Sequence, residues 1–227
     1  MHLPLRTRQL LIGGAVAGPL FVTAFAVQGA LREHYDWRRH PVSSLALGDL
    51  GAVQTAGFLV TGTLGLGLAA GLHRVLSRRG APGWGPRLVA AWAVGLLGAG
   101  AFVTDPVSGY PPGTPERPAA YSGTEAALHD AFSLLAFAAL TAACSVFALR
   151  FAREGERARA AGSAVAGAVV ATAFVLSAMG FDHRAGLAGT AGLFQRLSIT
   201  VGWCWLSLLA LDLLRRDPYV REDGGSR

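Results

Sequence analysis

Lysine is missing from this chain of 227 residues: all 20 basic residues are arginine. Charge of either sign is scarce, 15% of residues against 52% that are hydrophobic, and that balance argues against an ordinary soluble surface. Cysteine is limited to Cys144 and Cys204, both in apolar runs and roughly 8 Å apart in depth at about 1.5 Å of helical rise per residue. No disulfide is expected between them, and they read as small packing residues. No segment alternates apolar and polar residues as a membrane strand does, so a barrel is excluded. There is no internal repeat to support an inverted-repeat transporter and no HExxH ligand pair.

Long apolar runs are what the chain has in quantity. Residues 10–30, 52–72, 88–104, 131–149, 160–181 and 197–214 each approach the ~20 residues that carry a helix across a ~30 Å hydrocarbon layer. Asp212 is the only charged residue in them. Ser122 to Glu125 fits the Ser-x-x-Glu capping box, which starts the fourth helix ahead of its apolar run. The expectation is an all-α, polytopic membrane protein. Residues 1–227 form one domain, a six-transmembrane-helix bundle with spans at about 10–30, 52–72, 88–104, 128–149, 160–181 and 194–214. The opening MHLPLRTR also resembles a secretory signal, but the run after it is longer than a typical signal core, so an uncleaved anchor is expected.

The arginines set the orientation. With the N-terminus inside, fourteen fall in inner segments and six in outer ones, so both termini are expected to be cytoplasmic in a multi-pass protein of the plasma membrane. A pI near 10.3 then reflects attraction to anionic lipid headgroups. The arginines are scattered through short loops, so nucleic acid is not expected as a partner. The lipid bilayer is. The glycines of the second span (Gly62, Gly65, Gly67, Gly71) and the small residues of the fifth place those two helices in the bundle interior, with the leucine-rich sixth more exposed to lipid. Tyr35, Trp37, Tyr110 and Tyr121 form an interfacial belt on one side, Trp84 and Tyr219 on the other. The proline-rich segment 105–125 reads as extended and stiff.

Chemistry gathers at the outer face. The helix ends there bring together His40, His129 and His183 with Asp105, Asp182, Arg38, Arg184 and Arg196. Asp105 and Asp182 each follow the C-terminal end of a helix, where a carboxylate opposes the macrodipole by about 0.3 to 1 kcal/mol and calls for a cationic offset. His129 and His183 are candidate general acid/base groups beside these aspartates; Arg38, Arg184 and Arg196 are candidates to hold an anionic head. His40 stands by Ser43 and Ser44, which are also candidate caps of the second helix. Next to His129, Asp130 lies ~100° around the helix, so only one of the two points inward, and His129 is preferred. Imidazole and carboxylate suit zinc, so a site from His40, His129, His183 and an aspartate is chemically allowed; dispersed histidines more often make structural hydrogen bonds.

The segments HPVSSLALGDLGAVQTAGF, DPVSGYPPGTP, LHD and FDHRAGLAGTAGLFQR resemble the bacterial and archaeal integral membrane proteins grouped as domain of unknown function 998. The likeness runs from the first span to the sixth. It falls on His40, Pro41, Ser43, Ser44, Asp105, Pro106, Pro112, His129, Gln195 and Arg196, implies a small multi-span protein, and supplies no reaction. A fainter similarity links the first outer loop to eukaryotic membrane proteins associated with lipid organisation.

Three functions compete on these grounds. The first is a site open to the outside that binds or acts on a lipid, isoprenoid or other amphipathic substrate, with Gln195 among its binding residues. The second is a non-catalytic assembly or lipid-organising protein whose polar groups close the bundle. The third, a transporter, is disfavoured because the central thirds of the spans hold no ionisable side chain except cysteine. The sequence sets no oligomeric state.

Overall fold

The structure, a computed structural model, describes residues 6–80, 83–116 and 120–216. It contains six α-helices: α1 (Thr7–Leu31), α2 (Gly51–Arg78), α3 (Gly85–Ala101), α4 (Thr124–Arg153), α5 (Arg157–Phe181) and α6 (Ala191–Arg216). Two short 3-10 turns, Val42–Ala46 and Ala188–Thr190, precede α2 and α6. Among the described residues there is no β-strand longer than an isolated bridge between Val107 and Tyr110.

Each helix packs on its neighbours in sequence, and α6 returns to α1, so the six form a closed ring. Neighbours run antiparallel: Gly14 faces Leu68, Gly85 faces Phe147, and Gly180 faces Ala191. One end of the ring therefore carries Arg78, Arg153, Arg157 and Arg216, the other the three longer loops with His40, Asp105 and His183. Phe21, Phe58, Trp92 and Trp203 fill the centre, with Trp92 and Trp203 edge to face at 4.6 Å between ring centroids. Large apolar side chains such as Val16, Val27, Leu134, Val165 and Leu208 point outward. Outward apolar faces on helices of this length make a helical membrane bundle, because lipid tolerates them and water does not. Five helices are long and apolar enough to cross; α3, with 17 residues, spans about 26 Å.

Several sequence expectations change. Of the five longer helices the sixth is the most buried, half of its apolar window against a third for the fifth. A ring leaves a central space that bulky side chains such as Trp203 and Leu206 must fill, while small residues serve the seams between neighbours. The second helix behaves as expected at Gly62 and Gly65, which lie against Leu97 and Trp92. Tyr35 and Tyr110 are buried rather than belted, whereas Trp37, Tyr121 and Trp84 are exposed; Tyr219 lies outside the described residues. Cys144 and Cys204 are both free, the first buried and the second exposed. The segment after Asp105 folds back on itself instead of extending: Ser108 and Gly109, both at positive φ, donate their N–H groups to Glu116 and Pro115. The Tyr110–Pro111 peptide there is cis.

Candidate functional site

The loop end holds two polar assemblies, and they do different things. The first is a strut between the first loop and α6. Arg32, the residue that ends α1, reaches across to the carbonyls of Leu47 and Leu45 at 2.8 and 2.9 Å. Arg196 donates to the His40 carbonyl at 2.8 Å and to the Tyr35 hydroxyl, and its guanidinium lies 5.5 Å from the Tyr35 ring centroid. The Gln195 side-chain oxygen accepts the Val42 N–H at 2.7 Å. Gly192 lets this loop lie directly on α6, because a Cβ there would stand 2.6 Å from the His40 carbonyl.

His40 is fixed inside this strut. Its Nδ1 accepts the Asp36 N–H at 2.9 Å, which leaves the proton on Nε2 to be donated to the Ser108 carbonyl at 3.1 Å. Tyr35 and Tyr110 pack around the ring, with centroids 5.4 and 5.1 Å away. Burial lowers its pKa, although the Ser108 carbonyl pulls the other way. Burial likewise pushes the Tyr35 phenol up to about 12, in spite of Arg196. The His40 nitrogens are thus taken by backbone groups, leaving no lone pair for zinc or a substrate. Among the described residues no three of His, Cys, Asp and Glu are placed to hold a metal ion.

The second assembly is a cavity of about 520 Å³ bounded by the loops and the ends of α4, α5 and α6. His129 lines it from the second turn of α4, only 3% exposed. Its Nδ1 sits 2.9 Å from the Phe102 carbonyl, one of those left open at the end of α3, so the proton belongs on Nδ1 and Nε2 keeps its lone pair. Asp105, Asp130 and Asp182 also line the cavity. Asp105 accepts the Ser122 N–H at 2.8 Å and the Ser122 hydroxyl. Hydrogen bonds therefore hold this carboxylate where a cation was expected; α3 already ends at Ala101, so Asp105 does not directly follow a helix end, and the Ser122 hydroxyl is drawn away from α4. Gly123, with no side-chain cap, precedes that helix, so the anticipated capping box does not form. Asp182 follows the expectation more closely, 3.5 Å from Arg184 across an exposed turn. Tyr121 donates to Asp130 at 3.0 Å, and that bond, with the carboxylate charge, raises the phenol pKa.

Of the residues singled out from sequence, Ser43, Asp105, His129, Asp182 and Gln195 share the cavity lining. Arg38 is exposed and lies elsewhere. His183 adopts a positive φ and stands 3.9 Å from Glu116, while Arg184 points to solvent. The Ser44 hydroxyl is buried without a hydrogen-bond partner, and neither Ser44 nor Ser43 caps α2, whose N-cap is Leu50. Tyr121, Ser133 and Ser177 were missed. Ser133 was within reach of sequence reasoning, being four residues from His129 on the same helical face.

No arginine is among the described lining residues, so the charged groups facing the space are the three carboxylates. Leu134, Phe137, Phe174 and Phe181 supply its apolar wall, with Phe137 and Phe174 stacked at 4.1 Å. A second, narrower space of about 60 Å³ adjoins it toward the bundle centre, sharing Ser43, Ser133, Phe137 and Gln195 and adding Phe21, Phe58, Trp92 and Trp203.

A ring of apolar helices with an acidic, histidine-bearing cavity at one end defines a polytopic helical membrane protein. The family described as Protein of unknown function (DUF998) matches residues 15–212, and the chain belongs to it. No curated protein and no solved structure matches the chain.

Proposed function

We propose that the cavity binds an amphipathic molecule, a lipid or isoprenoid class of ligand, with a neutral hydroxylated or cationic head among Asp105, Asp130, Asp182 and His129. The apolar part lies along the α4 and α5 wall. What carries this reading is the division of one cavity into a carboxylate-lined side and a phenylalanine-lined side. An anionic head is disfavoured, since the described lining residues include three carboxylates and no arginine. His129 offers an Nε2 lone pair to accept a proton or hydrogen bond from the head. In this reading α3 crosses the membrane too, giving six spans. The fourteen-to-six arginine split then puts both termini in the cytoplasm and the cavity on the outer side of the plasma membrane.

Lipid mass spectrometry of the purified full chain tests this beside Ala178→Trp, which fills the cavity from an exposed position, and His129→Gln. One amphipath enriched over bulk lipid in the parent, lost in Ala178→Trp and reduced in His129→Gln at unchanged melting temperature, is expected. Identical lipid content in all three would refute it. The second reading, a non-catalytic assembly or lipid-organising protein, draws on the strut, where Arg196 and His40 spend their polar groups on this chain's own backbone.

A further inference from the structure

At the arginine-rich end, on the opposite side of the molecule from the cavity, a groove of about 640 Å³ runs between α5 and α6. Among the described lining residues its rim carries Arg159, Arg215, Arg216 and one carboxylate, Asp212. Arg159 is bonded to Asp212, and Arg216 lies 2.9 Å from the same side chain. Arg159 also lies 3.8 Å from Glu156, so three arginines face two carboxylates; with five N–H donors to a guanidinium and about four acceptor positions to a carboxylate, donors and one positive charge remain in excess. The floor is apolar and faces outward: Val165 and Leu208 are 63% and 65% exposed, and Cys204 is exposed between them. Trp205, hydrogen-bonded to Ser163 at 3.0 Å, ties the two helices together beneath it.

The dimensions fit one leaflet. Arg215 and Arg216 are the last residues of α6 and Arg159 the third of α5, so the charge sits where helices leave the hydrocarbon. From Asp212 to Thr200 the floor descends about 18 Å, close to half of a ~30 Å hydrocarbon core. A second copy of the chain packed about a two-fold axis would set this arginine rim against its own image, a like-charge contact that disfavours that occupant.

We propose that this groove is a binding site for an anionic phospholipid, its phosphate held by Arg215, Arg216 and Arg159 and an acyl chain lying along the floor. The site is independent of the cavity at the other end and of any ligand bound there.

Native mass spectrometry of the full chain, titrated in detergent with phosphatidylglycerol or phosphatidylcholine, tests it. Phosphatidylglycerol is expected to bind about fivefold or more tightly than phosphatidylcholine, the increment of roughly one charge near a guanidinium. The double variant Arg215→Gln, Arg216→Gln should lose roughly 30-fold, at about fivefold per arginine. Gly162→Leu should also weaken binding, by placing a side chain where a Cβ meets only open space. It removes no charge, so it reports on the groove even if the arginine variant melts early. Asp212→Asn should tighten binding by removing the carboxylate that Arg159 and Arg216 share, leaving Arg159 with Glu156 alone. Equal retention of the two lipids would overturn the proposal. So would a phosphatidylglycerol preference that falls equally in Arg87→Gln, which shares the same end outside the groove, or a dimer that the groove variants dissolve.

Discussion

Arg196→Gln separates the strut from the cavity. In the parent, Arg196 bridges two segments 156 residues apart through the His40 carbonyl at 2.8 Å and the Tyr35 hydroxyl. Its bond to Gly192, at 3.1 Å, stays within its own helix. Counting the two bridging bonds at about 1.5 kcal/mol each, the low end for charged donors because Arg196 itself is only partly buried, gives about 3 kcal/mol. For a chain of this size that corresponds to a fall in melting temperature of about 6 to 12 °C. The measurement is intrinsic tryptophan fluorescence on heating in detergent, with hydrogen exchange of residues 35–47 to locate the loss. Arg196→Lys should recover only part of it, because an ammonium cannot fork to two acceptors. If Arg196→Gln melts within 2 °C of the parent, exchanges normally, and yet loses its bound amphipath, the arginine acts on ligand and the strut argument fails.

Two further outcomes follow from the packing and from His40. Gly98→Ala would put a methyl 2.1 Å from the Phe132 ring, so it should cost about 1 to 3 kcal/mol or more and lower the melting temperature, whereas Gly162→Ala, facing open space, should raise it slightly. His40 has a lowered pKa when folded, so the unfolded chain binds its proton first as pH falls: stability should decline from the ordinary value of 6.5 downward and level off below the folded pKa. Melting at pH 7.5 and 5.5 should therefore differ more in the parent than in His40→Gln, whose amide can keep both backbone partners; parallel profiles would exclude His40 as the titrating group.

The helices were legible because lipid demands uninterrupted apolar runs, and the first, second, fourth and fifth begin or end within a few residues of those runs. The third was placed three residues late, since the run 88–104 continues past Ala101 while the Phe102 backbone has already turned extended. Asp105 and His129 could be picked out as polar groups at helix ends. Their partners could not. Ser122 matched a capping pattern, but the pattern is local and the Asp105 carboxylate 17 residues back competes for the same hydroxyl. For Arg196 and His40 the obstacle has the same root: charge and imidazole suggested chemistry, whereas both His40 nitrogens bond backbone groups and Arg196 bonds two carbonyls and the Tyr35 hydroxyl, partners that no local pattern reveals. Arg32, which drew no attention in the sequence, holds the first loop by two carbonyls.

Closure of the ring by α6 against α1 has a consequence for biosynthesis. The cavity is lined by Gln195, and the first loop is held down by Arg196 and by the seat at Gly192, all three on α6, which leaves the ribosome after the other five helices described. At about 5 to 20 residues per second, the loop after α1 waits on the order of ten seconds or more for its anchor. Until then the first hairpin has its own polar contacts at that end: the amides of Gln28 and Gln54, bonded at 2.9 Å between α1 and α2, and Arg32 on the carbonyls of Leu45 and Leu47. A chain that stops before α6 would carry an open ring of five helices, with Phe21 and Trp92 uncovered by Trp203.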